Sequence, residues 1–284
     1  MRTERDGVAV NASVIHPEGS WSRRLLGTGW WVAGQLALLF TLFQIYKIVR
    51  KTFLLPAEEV AFANALQILR WQERLGINIE LDLQRRVLEH EGLIWFFNRY
   101  YSYFTWAFYL SAACAMVANP RGYRWLRRVF FVTMLLALPW YVIYPLAPPR
   151  FMEQYGYPFV DTLAVYGPKY FSETGIVQGN RFAAMPSMHI GWTVVAGFML
   201  AVAFRRWRLG TVLGALHVAL MCVTVVVTGN HYVLDIVGGL LLDAAAFGIV
   251  ALLPTRLPLP WNRFGARPSP ARSSVAPPDR HGAV

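Results

Sequence analysis

Apolar residues arrive in six long blocks, and alternate connections between the blocks are rich in arginine. The blocks cover 29–49, 93–118, 129–148, 187–204, 209–229 and 232–254. A bilayer core about 30 Å thick takes about 20 mostly apolar residues as one helix. Hydrocarbon offers the backbone no hydrogen-bond partners, so a lone spanning segment has to satisfy them internally. The blocks therefore predict an all-α, polytopic membrane protein built as a six-transmembrane-helix bundle. Composition agrees: 15% of the chain is charged and 56% hydrophobic, where a soluble domain carries about 25% charge. An aromatic content of 15% excludes a disordered chain.

Orientation follows from the connections. Arg2, Arg5, Arg23 and Arg24 precede the first block, and Arg121, Arg124, Arg127 and Arg128 follow the second. Arg205, Arg206 and Arg208 follow the fourth, and Arg256, Arg263, Arg267, Arg272 and Arg280 follow the sixth. Six spans put all four groups on one side, which the positive-inside rule makes cytoplasmic. Both termini are then inside, with a tail over 1–28, a membrane domain over 29–255 and a disordered tail over 256–284. The net charge of +11 is explained by this topology without a nucleic-acid partner. Arg23 and Arg24 precede a block too long for a cleaved signal peptide. Cys114 and Cys222 lie within blocks and offer neither a disulfide framework nor metal spacing. Trp30, Trp31, Trp95, Trp140, Tyr141 and Tyr144 sit near block ends, where interfacial belts form.

Between the first two blocks, 50–92 carries Glu58, Glu59, Glu73, Glu80, Asp82, Glu89 and Glu91 among basic residues. Val60, Leu66, Leu69, Leu75, Ile79, Leu83 and Leu88 recur in it at helical spacing. This predicts an external amphipathic helical segment, on the membrane surface or packed over the bundle. A second external loop covers 147–186.

Three outward-facing segments concentrate Pro, Gly, His and Arg: Tyr144-Pro-Leu-Ala-Pro-Pro-Arg150, Asn180-Arg-Phe-Ala-Ala-Met-Pro-Ser-Met-His189 and Thr228-Gly-Asn-His-Tyr-Val-Leu-Asp235. Pro186 suits the first turn of a helix, whose free N–H groups form an anion site with the Ser187 hydroxyl. His231 and Asp235 are four apart, so on a helix they share a face, and a carboxylate there can orient the imidazole and stabilise its cation. Arg150 supplies a guanidinium matched to phosphate oxygens. Two histidines, a carboxylate, helix N-termini and an arginine suggest attack on phosphorus. Two other classes remain open. His189, His231 and Asp235 could ligate a metal with an open position, or the polar residues could line the cavity of a non-enzymatic binder or transporter.

Met185-Pro-Ser-Met-His189 with Asn230-His-Tyr-Val-Leu-Asp235 resembles the second and third motifs of the type 2 phosphatidic acid phosphatase superfamily. Ala147-Pro-Pro-Arg150 and Ala183-Ala-Met-Pro-Ser-Met-His189 are more narrowly similar to its inositol phosphorylceramide synthase branch and bacterial relatives. The likeness is detailed from Tyr144 to Gly239. It implies a six-helix enzyme that acts on a phosphorylated lipid, of polyprenyl, glycero- or sphingolipid type, with neither metal nor cofactor. His231 then matches the nucleophile that forms a phosphohistidine, Asp235 its orienting acid, and His189 the acid that protonates the leaving oxygen and later activates an acceptor. Arg150 and Ser187 match phosphate-binding positions, with Asn230 beside the nucleophile. Two basic residues of the phosphatase pattern are absent, replaced by Val225 and Ile143. Arg181, Asn180 and Lys169 are the candidates to compensate. Hydrolysis and transfer to an alcohol fit the motifs equally.

Outside the motifs, His217 reads as a buried polar contact, and Asp243 as a packing residue rather than a second functional acid. Gly191, Gly197, Gly238 and Gly239 read as small residues at close helix crossings. Glu73, Tyr100 and Tyr101 fit a lipid entrance no better than surface or core roles. The arginine bias also makes the orientation testable: a cysteine placed near Gly167 should react with an impermeant thiol reagent added outside cells, and one near Arg124 should not. The opposite labelling would reverse the topology.

Overall fold

The computed structural model describes residues 18–52, 57–168, 181–204 and 207–254. Among them every regular element is helical, apart from a single bridge between Leu146 and Ala183. In chain order these are α1 (Glu18–Thr52), α2 (Glu58–Leu75), α3 (Glu80–Leu88), α4 (Glu91–Ala118) and α5 (Pro120–Ile143). Two 3-10 turns follow, Pro149–Phe151 and Glu153–Tyr155, then α6 (Thr162–Tyr166), α7 (Met188–Ala203), α8 (Trp207–Val227) and α9 (Val233–Leu252). Four stretches are long and apolar enough to cross a membrane: Leu26–Arg50, Pro120–Ile143, Arg208–Val227 and Val233–Leu252. The protein is an integral membrane protein. Helix α4 matches the second apolar block in length but carries Glu91, Asn98 and Arg99 in its first turns. Helix α7 is apolar and has 16 residues, about 24 Å at 1.5 Å per residue.

Several boundaries differ from the sequence reading. The third helix starts nine residues before its apolar block, because Pro120 occupies the first turn and the Asn119 side chain accepts from the Gly122 N–H. Arg121, Arg124, Arg127 and Arg128 therefore lie on α5 itself, and only Asn119 connects it to α4. Arg127 is buried and donates to Gln35 of α1. At the other end α5 stops at Ile143, ahead of Pro145. Arg50, the expected first residue of the external segment, belongs to α1. Tyr141 is no belt residue: it is buried, with its hydroxyl near that of Tyr46 (3.4 Å) and donating to the Pro186 carbonyl (3.4 Å). Helix α1 begins at Glu18, so the expected tail over 1–28 is helical from that residue, while 1–17, the expected tail over 256–284, Arg205 and Arg206 lie outside the described residues.

Helix α7 is the centre of the bundle. It packs against α4, α5, α8 and α9, and Trp192 on it is ringed by Phe43, Phe104, Phe108 and Phe130, with centroids 4.7–5.8 Å away. Its crossing with α8 is close because Gly197 and Gly214 face one another, and a Cβ on Gly214 would meet Gly197 O at 2.6 Å. Polar pairs tie other helices: Thr133 of α5 donates to Asp243 of α9 (2.8 Å), and the Tyr100 hydroxyl of α4 meets His217 of α8. Asp243 and His217 are thus both interhelical contacts.

The segment after α1 folds as the helix pair α2–α3, packed over the end of the bundle that bears His189 and His231. Its buried stripe is Ala61, Phe62, Ala65, Ile68, Leu69 and Gln72, whereas Val60, Leu75 and Ile79 are exposed. The stripe also takes in Gln72, which makes a buried polar contact described below.

Adjacent glycines on α9 give a controlled test of the packing. A Cβ on Gly239 would come within 2.6 Å of the Ser187 carbonyl, while one on Gly238 meets only ordinary contacts from 3.5 Å outward. Gly239→Ala should destabilise by about 1–3 kcal/mol, the usual cost of overpacking. Gly238→Ala should be neutral or gain up to about 1 kcal/mol of helix propensity. Thermal unfolding in one detergent checks both, and equal midpoints would refute the close approach.

Candidate active site

Backbone hydrogen bonds join the three motif segments directly. Leu146 N–H donates to Phe182 O (2.8 Å) and Ala184 N–H to Leu146 O (3.2 Å). Arg150 N–H donates to Gly229 O (2.9 Å), and Ser187 N–H to Asp235 O (3.1 Å). Gly229 makes the turn after α8, with φ +67°, a conformation open to glycine at little cost. The turn folds back so that the N–H groups of Asn230 and His231 both donate to Val225 O (3.1 and 3.0 Å).

His231, Asp235 and His189 form one hydrogen-bonded line. Asp235 Oδ2 is 3.3 Å from His231 Nδ1, and His231 Nε2 is 3.2 Å from His189 Nδ1. The His231–Asp235 pair does not share a helical face. His231 precedes α9, while Asp235 is its third residue, and the same Asp235 oxygen accepts the Tyr232 N–H (2.9 Å). The carboxylate therefore holds both the imidazole and the start of the helix. With an ionised Asp235, the network assigns the His231 proton to Nδ1 and leaves the Nε2 lone pair facing His189. His189, the second residue of α7, is stacked by Tyr101 (4.2 Å between centroids) and flanked by Phe104 (4.5 Å). The donor atoms lie in sequence along a line rather than around a common point. Among the described residues no group of three His, Cys, Asp or Glu is arranged to hold a metal ion.

The two histidines open onto a cavity of about 620 Å³. Arg150, Arg181 and Asn230 line it too. Arg150 donates to Asn230 Oδ1 and lies 3.6 Å from Asp161 Oδ2. Both Arg150 and Arg181 sit over Phe151, 4.7 Å from its centroid. Ser187 is elsewhere. It precedes α7 as its N-cap residue, is fully buried, lies off the cavity wall, and its hydroxyl has no partner among the described residues. Pro186 is one residue further out, not in the first turn. Lys169 and Asn180 lie outside the described residues. Glu73 accepts from Tyr157 away from the cavity (3.3 Å), and Tyr100 faces His217.

Lys47 and Arg50 of α1, with Tyr46 and Tyr141, are among the wall residues that were not anticipated as functional. A signal for the two cations did exist. They end the first apolar block on the side opposite the arginine-rich connections, against the general bias.

A family sequence model described as the PAP2 superfamily matches residues 66–249, well over half of the chain. The chain belongs to the PAP2 superfamily. All three motif segments fall inside that match. A phosphoinositol dihydroceramide synthase from Bacteroides thetaiotaomicron is 27% identical over 123 residues, covering 39% of this chain and 40% of that protein. The shared part is thus less than half of that relative's length. It supports the synthase-like branch within the PAP2 superfamily. No solved structure matches the chain.

This PAP2 site is held from outside by α2 and α3. The first N–H groups of α9 have no partner within the helix. Val233 N–H donates to Glu80 Oε1 (2.8 Å) and Leu234 N–H to Gln72 Oε1 (3.0 Å), while Gln72 Nε2 donates to Glu80 Oε1 (2.6 Å). At the other end of the same turn, Gln84 Nε2 donates to the last carbonyl of α8, Val227 O (3.3 Å). Burial raises the Glu80 carboxyl above the ordinary glutamate value, against the pull of its hydrogen bonds. Ionising Glu80 therefore costs folding free energy, so its contribution falls as pH rises from the ordinary glutamate range through the raised value. Glu80→Gln keeps an acceptor and should remove that pH slope from the thermal midpoint. Glu80→Ala orphans the Val233 N–H and Gln72 and should lower the midpoint at every pH. An unchanged midpoint in Glu80→Ala would show that the capping contact carries no stability.

Proposed function

We propose that the protein is a lipid-phosphate phosphotransferase or phosphatase, working through a phosphohistidine on His231 at the external membrane face. Six helices cross the membrane in this reading (α1, α4, α5, α7, α8 and α9), with both termini cytoplasmic and α2–α3 on the outer side. The observation that carries it is the line Asp235–His231–His189 ending at a basic cavity. Membership of the PAP2 superfamily supports the same chemistry. The cavity volume lies within the range of small-molecule sites, about 300–1,000 Å³.

The reaction divides into two displacements. Phosphorus enters between His231 Nε2 and His189, replacing their mutual contact. The Nε2 lone pair forms the N–P bond while the P–O bond to the leaving group breaks, and His189, protonated at this stage, gives that oxygen its proton. Asp235 stabilises the developing imidazolium through Nδ1–H. Neutral His189 then takes the proton of an incoming hydroxyl, whose oxygen bonds phosphorus as the N–P bond breaks. Arg150, fixed by Asn230, offers its guanidinium to the non-bridging oxygens. Water as acceptor gives hydrolysis, and an alcohol gives transfer. The synthase relative favours an alcohol acceptor, and orientation of its hydroxyl in the cavity would outcompete water.

A phosphorus-labelled lipid phosphate should leave an acid-labile, base-stable label on the protein, absent in His231→Ala, which should lose nearly all turnover. Asp235→Asn should keep the fold and lower kcat by about 10²–10⁴-fold, as loss of an orienting acid does. Configuration at a chiral phosphorus should be retained, and turnover should survive EDTA. Near-normal activity in His231→Ala would overturn the mechanism, and loss with EDTA restored by zinc would favour the metal-hydrolase reading.

A further inference from the structure

Arg50 stands on α1, an element that belongs to none of the three motifs, yet it lines the same cavity as His189, His231 and Arg150. Its Nε is buried and has no hydrogen-bond partner among the described residues. The guanidinium is set over the Tyr141 ring, 5.8 Å from its centroid, and its other nitrogens interact with the Tyr141 and Tyr46 hydroxyls, so Nε is the donor left over. Tyr141 in turn reaches the Pro186 carbonyl (3.4 Å) and the Tyr46 hydroxyl (3.4 Å), so α1 is tied to the turn just ahead of His189. Lys47, one turn earlier on α1, also lines the cavity, and no aspartate or glutamate is among its described lining residues. No described carboxylate forms an ion pair with Lys47 or Arg50. Arg150, by contrast, already has Asp161 and Asn230.

The residues at the two missing basic positions cannot serve the cavity. Val225 is buried against Ile190 and Met221, and Ile143 is exposed at the end of α5. Neither lines it. A buried N–H without an acceptor is costly in an empty site, and an oxyanion between Arg50 and Arg150 would satisfy it. Guanidinium donors suit such a ligand because their planar fork matches its oxygens.

We propose that Arg50 is a phosphate-binding residue: it reaches in from the first helix to the cavity that Arg150 also lines, to hold the non-bridging oxygens of the phosphorylated substrate, with Lys47 adding charge. The assignment deepens the lipid-phosphate reading and rests on it for the substrate, but the anion site itself is measurable without turnover.

The test uses full-length protein in detergent with inorganic phosphate as the probe, followed by ³¹P NMR line broadening. Wild-type protein should bind phosphate, and Arg50→Gln should weaken the affinity by about tenfold or more, as loss of a charge-assisted hydrogen bond does. Its helical circular dichroism should match the wild type, which shows that the variant folds. Guanidinium ion at low millimolar concentration should restore binding to Arg50→Ala, which a merely structural role would not allow. Should Arg50→Gln fail to fold, Arg50→Lys decides: a weakened affinity supports the assignment and a wild-type affinity overturns it. Equal phosphate binding in wild type and Arg50→Gln, or none in wild type, also overturns it. Lipid-phosphate turnover is scored separately. A wild-type protein that turns over nothing, but binds phosphate through Arg50, would refute the enzyme reading and leave this site standing.

Discussion

Helix α9 begins inside the protein, and its first N–H groups have to find acceptors there. A helix start in water is capped by solvent, but a buried one needs protein partners. Here Asp235 accepts from Tyr232, Glu80 from Val233 and Gln72 from Leu234. The first of these acceptors is also the partner of His231, and the other two come from the α2–α3 pair. One need, to satisfy the backbone at a buried helix start, thereby sets the imidazole, the carboxylate and the position of the covering helices together. Gln84 and Thr162 meet the corresponding carbonyls of Val227 and Thr228 at the end of α8. The turn that carries His231 is clamped at both ends.

The same economy appears around His189. The short helix α7 is buried by its neighbours on most sides, and its first turn is placed by contacts from both directions. Tyr101 of α4 stacks on the ring and Phe104 lies tilted beside it, while Tyr141 of α5 holds the Pro186 carbonyl ahead of it. Charge is distributed differently from acid. Asp235 and Glu80 lie at the histidine turn and Asp161 pairs with Arg150, while the cations Lys47, Arg50, Arg150 and Arg181 line the cavity and no carboxylate is among its described lining residues. Cations and the histidine pair share one cavity wall, which suits oxyanion recognition.

How far the chain could be read from its residues differs by feature. Four of the apolar blocks return as helices long enough to cross a membrane, because burial from water along a whole helix leaves a long compositional trace. Their ends agree less well, as at α5, where an asparagine cap and Pro120 begin the helix in an arginine-rich stretch that composition assigns to a loop. The motif histidines and Asp235 were legible from spacing and likeness. Their geometry was not: four-residue spacing suggests one helical face, and the pair instead forms across a helix start. Ser187 was read as facing an anion and is buried off the cavity wall.

Sequence alone determined the class of the protein, the placing of three chemistry-bearing segments at one end of the bundle, and membership of its family. Each of these rests on local pattern: hydrophobic length, the alternation of arginine, and short motifs. Tertiary structure decided what no local pattern records. It brought Arg50 and Lys47 of the first helix to the wall shared with His231, and it set Gln72 and Glu80, some 150 residues away in the chain, beneath the start of α9. A polar residue on an amphipathic helix looks alike in sequence whether it faces water or a buried N–H. Only the packed helices tell the two apart, because the acceptor's role is defined by its partner.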